Sequence, residues 1–338
     1  MSNIFIVNQT VLLLTDCFNQ ITHLFIELVH ILTLNQFNDF NSLLQAINTI
    51  LSMEIYLNGQ FQKLETACIS VTDRGFIFGD GIYEVIRVIK GSLFRELDHL
   101  KRLKEGLEGI GIHPGKAQFE QLPEICRDLL KRNELMNGEA VIYIQITRGA
   151  SWPRTHTHPE PPVSPTVYIN TSTFNPYKEL HSKGAKAITE SDVRWTRCNL
   201  KTTQLLPNTL SRERAKNAGA DNVILVRDGM ITESPNANIF AVKNDILYTY
   251  PASNYILSGI TRKVVLEIAV RLQIPVKDTP ISEFDLCNLD ELFLTGTTTD
   301  IMPITMANGK EISNGKPGPI VSKIQQAYNE MMYAGRNP

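Results

Sequence analysis

The chain has 338 residues, 43% of them apolar and 20% charged, the balance of an ordinary globular protein with room for two domains. A net charge of −2 excludes any general electrostatic pull toward nucleic acid or an acidic membrane. Its five cysteines, Cys17, Cys68, Cys126, Cys198 and Cys287, are scattered, with no Cys-x-x-Cys spacing for zinc, and read as reduced thiols of a cytoplasmic protein.

Residues 1–52 differ from everything after them. They contain none of the 33 lysines and arginines and are rich in Leu, Ile, Phe and Asn. A secretory signal needs a positive start, which is missing. A spanning helix needs roughly 20 apolar residues in a row, and Asn8, Asp16, Asn19, His23, Glu27 and His30 interrupt the run. Met53 then opens Met-Glu-Ile-Tyr-Leu-Asn-Gly. Residues 1–52 are therefore expected to be an upstream extension without catalytic part, produced by a misplaced start. The alternative is an amphipathic arm covering a partner surface, and the intact mass of natively expressed protein separates the two.

From residue 53 the pattern turns β-rich. Strands 54–57 and 61–64 flank Asn58-Gly59, the commonest two-residue hairpin signal, and strands 83–89 and 92–95 flank Lys90-Gly91. Helical periodicity follows over 97–111 and 117–133, with Leu100, Leu103, Leu107 and Ile110 on one face. Strands are expected at 139–147 and 165–171, and the Asn175-Pro176 region is the best linker. Further strands are expected at 185–190, 222–227, 237–242, 246–250, 275–278, 291–295 and 302–306, and helices at 208–219, 259–272 and 319–332, with Gly219 as a helix stop. The result is an α+β protein with a smaller domain at 53–172, a linker at 173–177, a larger domain at 178–332 and a tail at 333–338. A cleft between two such domains is a common place for a small-molecule site.

Two residues carry distinctive chemistry. Lys201 sits in Arg-Cys-Asn-Leu-Lys-Thr-Thr (197–203), where an extended segment gives way to a helix, and Glu233 follows an Asp228-Gly229 turn. A lysine amine can form a Schiff base with an aldehyde cofactor, and a carboxylate can hold a pyridine nitrogen protonated; pyridoxal phosphate (PLP) needs both. Taken alone, Lys201 reads as a solvated surface charge and Glu233 as an exposed turn acid. Anion donors are available at Gly259-Ile260-Thr261, which opens a helix, at the Gly296-Thr297-Thr298 turn, and on Arg102, whose guanidinium suits phosphate oxygens. Arg154 and His156 can bind a carboxylate through charge-assisted hydrogen bonds, with Tyr83 adding a phenolic donor. Cys198, three residues before Lys201, reads as a buried small hydrophobe. His156 and His158 share a loop with no carboxylate or thiol at ligand spacing, so no metal site is expected.

These residues lie in a set of motifs that occur in a familiar order. They are Asp73-Arg74-Gly75-Phe76-Ile77-Phe78-Gly79-Asp80-Gly81-Ile82-Tyr83-Glu84-Val85, His99-Leu100-Lys101-Arg102, Thr147-Arg148-Gly149, Arg154-Thr155-His156, the two blocks around Lys201 and Glu233, Ser258-Gly259-Ile260-Thr261-Arg262, and Leu294-Thr295-Gly296-Thr297-Thr298-Thr299. Through them residues 53–332 resemble the fold-type IV PLP-dependent aminotransferases, within them most closely the D-amino-acid branch.

The resemblance implies the fold-type IV architecture, with a barrel-like core in the larger domain and the cofactor in the cleft. It implies Lys201 as the catalytic lysine, Arg102, Glu233, Leu257, Ile260, Thr261, Gly296 and Thr297 around the cofactor, and Tyr83, Arg154 and His156 on the substrate carboxylate. It further implies a homodimer in which Arg154 and His156 serve the neighbouring subunit's site, and ping-pong transfer between D-alanine and 2-oxoglutarate. The chain departs from the usual text at Gly296, which is often serine, and at Trp152-Pro153, which lengthens the loop before Arg154 by one residue. Rival readings of the same fold are a branched-chain L-amino-acid aminotransferase, which typically has Phe-Glu-Gly at Tyr83-Glu84-Val85 and lacks the Arg-x-His pair, an aminodeoxychorismate lyase, and an (R)-selective amine transaminase. A non-catalytic PLP-binding protein is the remaining alternative.

Overall fold

The computed structural model describes residues 53–334. The expected extension at 1–52, Cys17 and residues 335–338 of the expected tail lie outside the described residues.

Asn58 and Gly59, both at positive φ (49° and 96°), close the hairpin of β1 (Glu54–Leu57) and β2 (Gln60–Lys63). A short helix that periodicity could not announce follows, α1 (Arg74–Phe78). Its Asp73 cap accepts from the Gly75 N–H at 2.7 Å, and left-handed Gly79 ends it. Next come β3 (Gly81–Ile89), the Lys90-Gly91 turn, β4 (Ser92–Leu93) and α2 (Glu96–Gly109). The single helix expected over 117–133 is two, α3 (Lys116–Glu120) and α4 (Leu122–Arg132). Pro123 lies in the first turn of α4, where its missing N–H is harmless; inside one continuous helix it would break the ladder.

With β5 (Glu139–Thr147) and β6 (Thr166–Thr173) these strands form a six-stranded sheet in the order β2-β1-β6-β5-β3-β4. Alternation along the strands gives it two different faces. Ile82, Ile86, Ile142, Ile144 and Ile146 pack on Leu103 and Leu107 of α2 and Leu129 and Leu130 of α4. Tyr83, Val85 and Tyr143 point the other way, and the Tyr83 and Tyr143 rings stack at 5.6 Å.

The expected linker is shorter only at its start: β6 runs on to Thr173, and α5 (Lys178–Lys183) begins after residues 174–177. Beyond it come β7 (Ala185–Ser191), α6 (Leu206–Asn217), β8 (Asn222–Arg227), β9 (Met230–Ile231), β10 (Glu233–Ser234), β11 (Ala237–Lys243), β12 (Ile246–Thr249), α7 (Ile260–Arg271), β13 (Val276–Asp278), β14 (Ile281–Ser282), β15 (Glu291–Gly296), β16 (Asp300–Ala307), β17 (Lys310–Glu311) and α8 (Pro319–Tyr333). Gly219, at φ 67°, follows α6 as expected.

The second sheet runs β13-β12-β11-β15-β16-β7-β8-β9-β14, with β10 added to β11 and β17 to β16. The resemblance implied a barrel-like core. Among the described residues the pairing is an open path, because its ends, β13 and β14, are only three and two residues long and do not pair with each other. Helices α7 and α8 cover this sheet through Val264, Val265, Ile268, Ile320, Ile324 and Tyr328, packed on the stacked rings of Phe240 and Phe293. No helix among the described residues is long and apolar enough to cross a membrane.

Candidate active site

A cavity of about 750 Å³ is lined by Tyr83, Arg102, Lys201, Glu233, Leu257, Ile260, Thr261, Gly296 and Thr297, all of them residues singled out in the sequence. That volume suits a small cofactor with its substrate.

Lys201 is placed by strand-like pairing to the start of β3. Tyr83 N–H donates to the Lys201 carbonyl at 2.9 Å, and Thr203 N–H donates to the Gly81 carbonyl at 3.0 Å. The lysine side chain is half-buried, its Nζ 4.1 Å from the centroid of the Tyr83 ring. An ammonium over a ring face is attracted by the ring's quadrupole, which orients the side chain without consuming its protons.

Glu233 is no exposed turn acid. It begins the β10–β11 hairpin opposite Asn238 and is 4% exposed. Oε1 accepts from Arg194 Nη1 at 2.5 Å, and Oε2 accepts from Asn238 Nδ2 at 2.8 Å and from the Leu257 N–H at 3.1 Å. Burial pushes its carboxyl up to about 7, against the opposing pull of Arg194 and the Leu257 N–H. Behind Arg194, Asp192 accepts from both Nε and Nη2 at 2.8 Å, and Arg227 and Thr232 hold Asp192 in turn. A chain of four alternating charges thus backs this wall of the cavity. Sequence reasoning missed Asp192 and Arg194; the available signal was an Asp-x-Arg alternation on an extended segment.

At the opposite pole, Arg102 departs from expectation. Its fork is occupied by Glu84, with Nε donating to Oε2 at 2.8 Å and Nη2 to Oε1 at 2.7 Å, while Nη1 donates to the Ser258 carbonyl at 3.2 Å. Glu84 is fully buried among Ile82, Ile86 and Val88, with His99 Nδ1 3.0 Å from Oε1. Burial alone would raise its carboxyl, but Arg102 and His99 hold it far below the usual carboxylate range. Burial lowers His99, against the pull of Glu84. Glu84 was legible only as an acid at an inward position of an otherwise apolar strand face.

Arg102 also reaches the segment leading into α7. That helix begins with Gly259 as cap and no side chain bonded to its first-turn N–H groups, which leaves Ile260 and Thr261 as anion donors. Gly259 is required there: a Cβ would come within 2.1 Å of Asn238 Oδ1. The Gly296–Thr299 turn after β15 faces the same space. Beside it Thr295, 1% exposed, carries a hydroxyl with no hydrogen-bond partner among the described residues. An orphaned buried hydroxyl on a cavity wall indicates a polar occupant. An arginine forked onto Glu84 with two N–H groups to spare, a bare helix start, a hydroxyl-rich turn, a half-buried amine and a buried carboxylate form a set that fits a phosphorylated pyridine aldehyde.

The remaining two expected residues stand apart. Arg154 and His156 are exposed on the loop between β5 and β6 and do not line the cavity of their own chain. They rest on Phe78, which does line it: Arg154 Cζ is 4.6 Å from that ring's centroid, and the His156 ring is 5.7 Å away. Among the described residues no three His, Cys, Asp or Glu side chains converge as metal ligands.

Comparison with known proteins gives the same grouping. Residues 81–307 match the model of the amino-transferase class IV family. D-alanine aminotransferase of Staphylococcus epidermidis is 40% identical over 278 residues, covering 82% of this chain and 97% of that protein. The D-alanine aminotransferase of Bacillus licheniformis is 34% identical over 275 residues, covering 81% and 95%. Among solved structures, the branched-chain amino acid aminotransferase of Escherichia coli superposes with a TM-score of 0.74 at 26% identity, covering 82% of this chain and 94% of that one. A T.th. branched-chain amino acid aminotransferase, solved with pyridoxamine 5'-phosphate, gives 0.76 at 27% identity, covering 86% and 96%.

Proposed function

The chain belongs to the class IV aminotransferases, and on that premise we propose that it is a PLP enzyme moving an amino group from a D-amino acid to a 2-oxo acid, with D-alanine and 2-oxoglutarate as the pair. One observation carries the reading: a single cavity holds Lys201, Glu233 and three separate anion-binding elements.

Bound there, PLP supplies an electron sink for ionisation of the substrate's α C–H bond. Arg102, the N–H groups of Ile260 and Thr261, and the Gly296-Thr297 turn would hold its phosphate. Glu233 would hold the ring nitrogen, and Arg194 favours the charged carboxylate that this contact needs. Lys201 would be the covalent anchor, and its Nζ would take the proton from the substrate α-carbon and deliver a proton to the cofactor's aldehyde carbon instead of back to the α-carbon, a shuttle that requires an amine able to exist in both protonation states near working pH. Tyr83, with Arg154 and His156, binds the substrate carboxylate. The position of Arg154 and His156 outside their own cavity supports a homodimer in which they complete the partner's site. In this reading residues 173–177 link a smaller domain at 53–172 to a larger one at 178–332. The described cysteines, Cys68, Cys126, Cys198 and Cys287, are unpaired, in keeping with a cytoplasmic enzyme.

The branched-chain reading is favoured by the structural neighbours. Tyr83-Glu84-Val85, the Arg154-x-His156 pair and the higher identity to D-alanine aminotransferases favour the D-amino-acid reading. An assay of D- against L-amino acids with 2-oxoglutarate separates them. D-alanine is expected to turn over with strict dependence on the oxo acid, and Lys201→Ala is expected to abolish both the cofactor's bound absorbance and turnover. Preference for L-leucine or L-valine would reject the proposal, as would wild-type activity in Lys201→Ala.

A further inference from the structure

Resting on the reading of Arg154 and His156 as the carboxylate pair, we infer that Arg74 is the positioning residue of that pair, acting together with the ring of Phe78. Arg74 opens α1 and is 5% exposed. Its Nη1 donates at 2.8 Å to the carbonyl of Thr155, the residue between Arg154 and His156. Its Nε donates at 3.0 Å to Asp80 Oδ2. Asp80 is fixed in turn by Arg148, which donates from Nε at 2.7 Å and from Nη2 at 3.0 Å, and which also donates to the carbonyls of Ile110 and Gly111. Burial would raise the Asp80 carboxyl, yet the two arginines hold it below its ordinary value, so it stays charged as their common anchor.

The second hold is aromatic. The guanidinium carbons of Arg74 and Arg154 each lie 4.6 Å from the centroid of the Phe78 ring, which His156 also meets. Arg154 and His156 make no hydrogen bond or ion pair of their own among the described residues, and every residue from Trp152 to His158 is exposed. An exposed arginine on such a loop loses much rotamer freedom when it binds a carboxylate. A bond from the buried Arg74 to the backbone between the pair, and a ring in contact with the Arg154 guanidinium, remove that loss in advance. Nothing within reach in the sequence announces this arrangement, since Arg74 and Thr155 are 81 residues apart.

The test is a mutant cycle on the holoenzyme, read with D-alanine. Arg74→Lys keeps the charge and loses the fork. It is expected to lower kcat/KM on the order of tenfold, through KM, with kcat little changed. In an Arg154→Ala/His156→Ala background the same substitution is expected to change kcat/KM by less than about twofold, because its targets are gone. Phe78→Leu, run through the same cycle, supplies the answer if Arg74→Lys folds poorly. Losses that add fully in the doubly substituted background would overturn the positioning role alone. An unchanged KM in Arg154→Ala would overturn the carboxylate reading, and this inference with it.

Discussion

Arg194 Nη1 lies 2.5 Å from Glu233 Oε1, while Asp192 grips the other edge of the same guanidinium. The pair is buried, and burial outweighs the arginine, raising Glu233 from 4.5 to about 7. The native state therefore binds this proton more tightly than the unfolded chain does. The stability so contributed is complete below pH 4.5 and lost as pH rises through 7. Glu233→Gln should flatten this part of the profile, by on the order of 3 kcal/mol between pH 4.5 and 7.5. Urea unfolding of the cofactor-free protein at both pH values tests it; identical pH dependence in the two proteins would refute the assignment.

Glu84 has the opposite sign. Its folded carboxyl lies below the ordinary 4.5, so its contribution is present above that value and lost as pH falls below it. Removing its charge with Glu84→Gln strands the Arg102 fork, and losses of about 3–5 kcal/mol follow when one partner of a buried pair is deleted. Retention of PLP on gel filtration should weaken in parallel, because Arg102 is held in place by this carboxylate. A stable variant with normal retention would show that the Ser258 contact alone positions Arg102.

Gly296 offers a gain. A Cβ there would stand 3.2 Å from the Asn236 carbonyl and from Thr299 Oγ1, a contact relieved by a shift of a few tenths of an ångström. Gly296→Ser adds a hydroxyl at the turn assigned to phosphate and should tighten PLP binding by roughly fivefold, the worth of one net hydrogen bond. Equilibrium dialysis gives the answer, and weaker binding would mean that the hydroxyl does not face the phosphate.

Glu291 provides a stability test away from the cavity. Its carboxylate accepts from the N–H groups of Ile320 at 2.9 Å and Val321 at 2.7 Å, capping α8. A Cβ at Gly318 would meet Glu291 Cδ at 2.1 Å, so glycine is needed for this approach. Glu291→Ala should cost about 1–2 kcal/mol, the range of a lost helix cap, with kcat unchanged. Thermal melts and steady-state assays on one preparation decide it.

The local signals were legible because they depend on neighbours in the chain. Asn58-Gly59 and Lys90-Gly91 form the hairpins expected of them, and β5 and β8 span the residues expected as strands. Helix α1 was missed because five residues are too few to show a period. The break between α3 and α4 was missed because the apolar spacing continues across it while Pro123 interrupts the backbone. Among the site residues, Lys201, Glu233, Ile260, Thr261 and Thr297 were marked by their motifs. Arg102 was marked too, although its fork proves to be engaged by Glu84.

What the order of residues determined by itself was the set of chemical groups and the turns that begin and end each element, since turn geometry and caps are decided within a few positions. Tertiary structure alone decided how those groups behave. The raised carboxyl of Glu233 comes from burial, which outweighs the pull of Arg194 from 39 positions away, and the Thr155 carbonyl between Arg154 and His156 meets Arg74 from 81 positions away. Desolvation and packing depend on distance in space, and the chain brings these side chains together only when it folds.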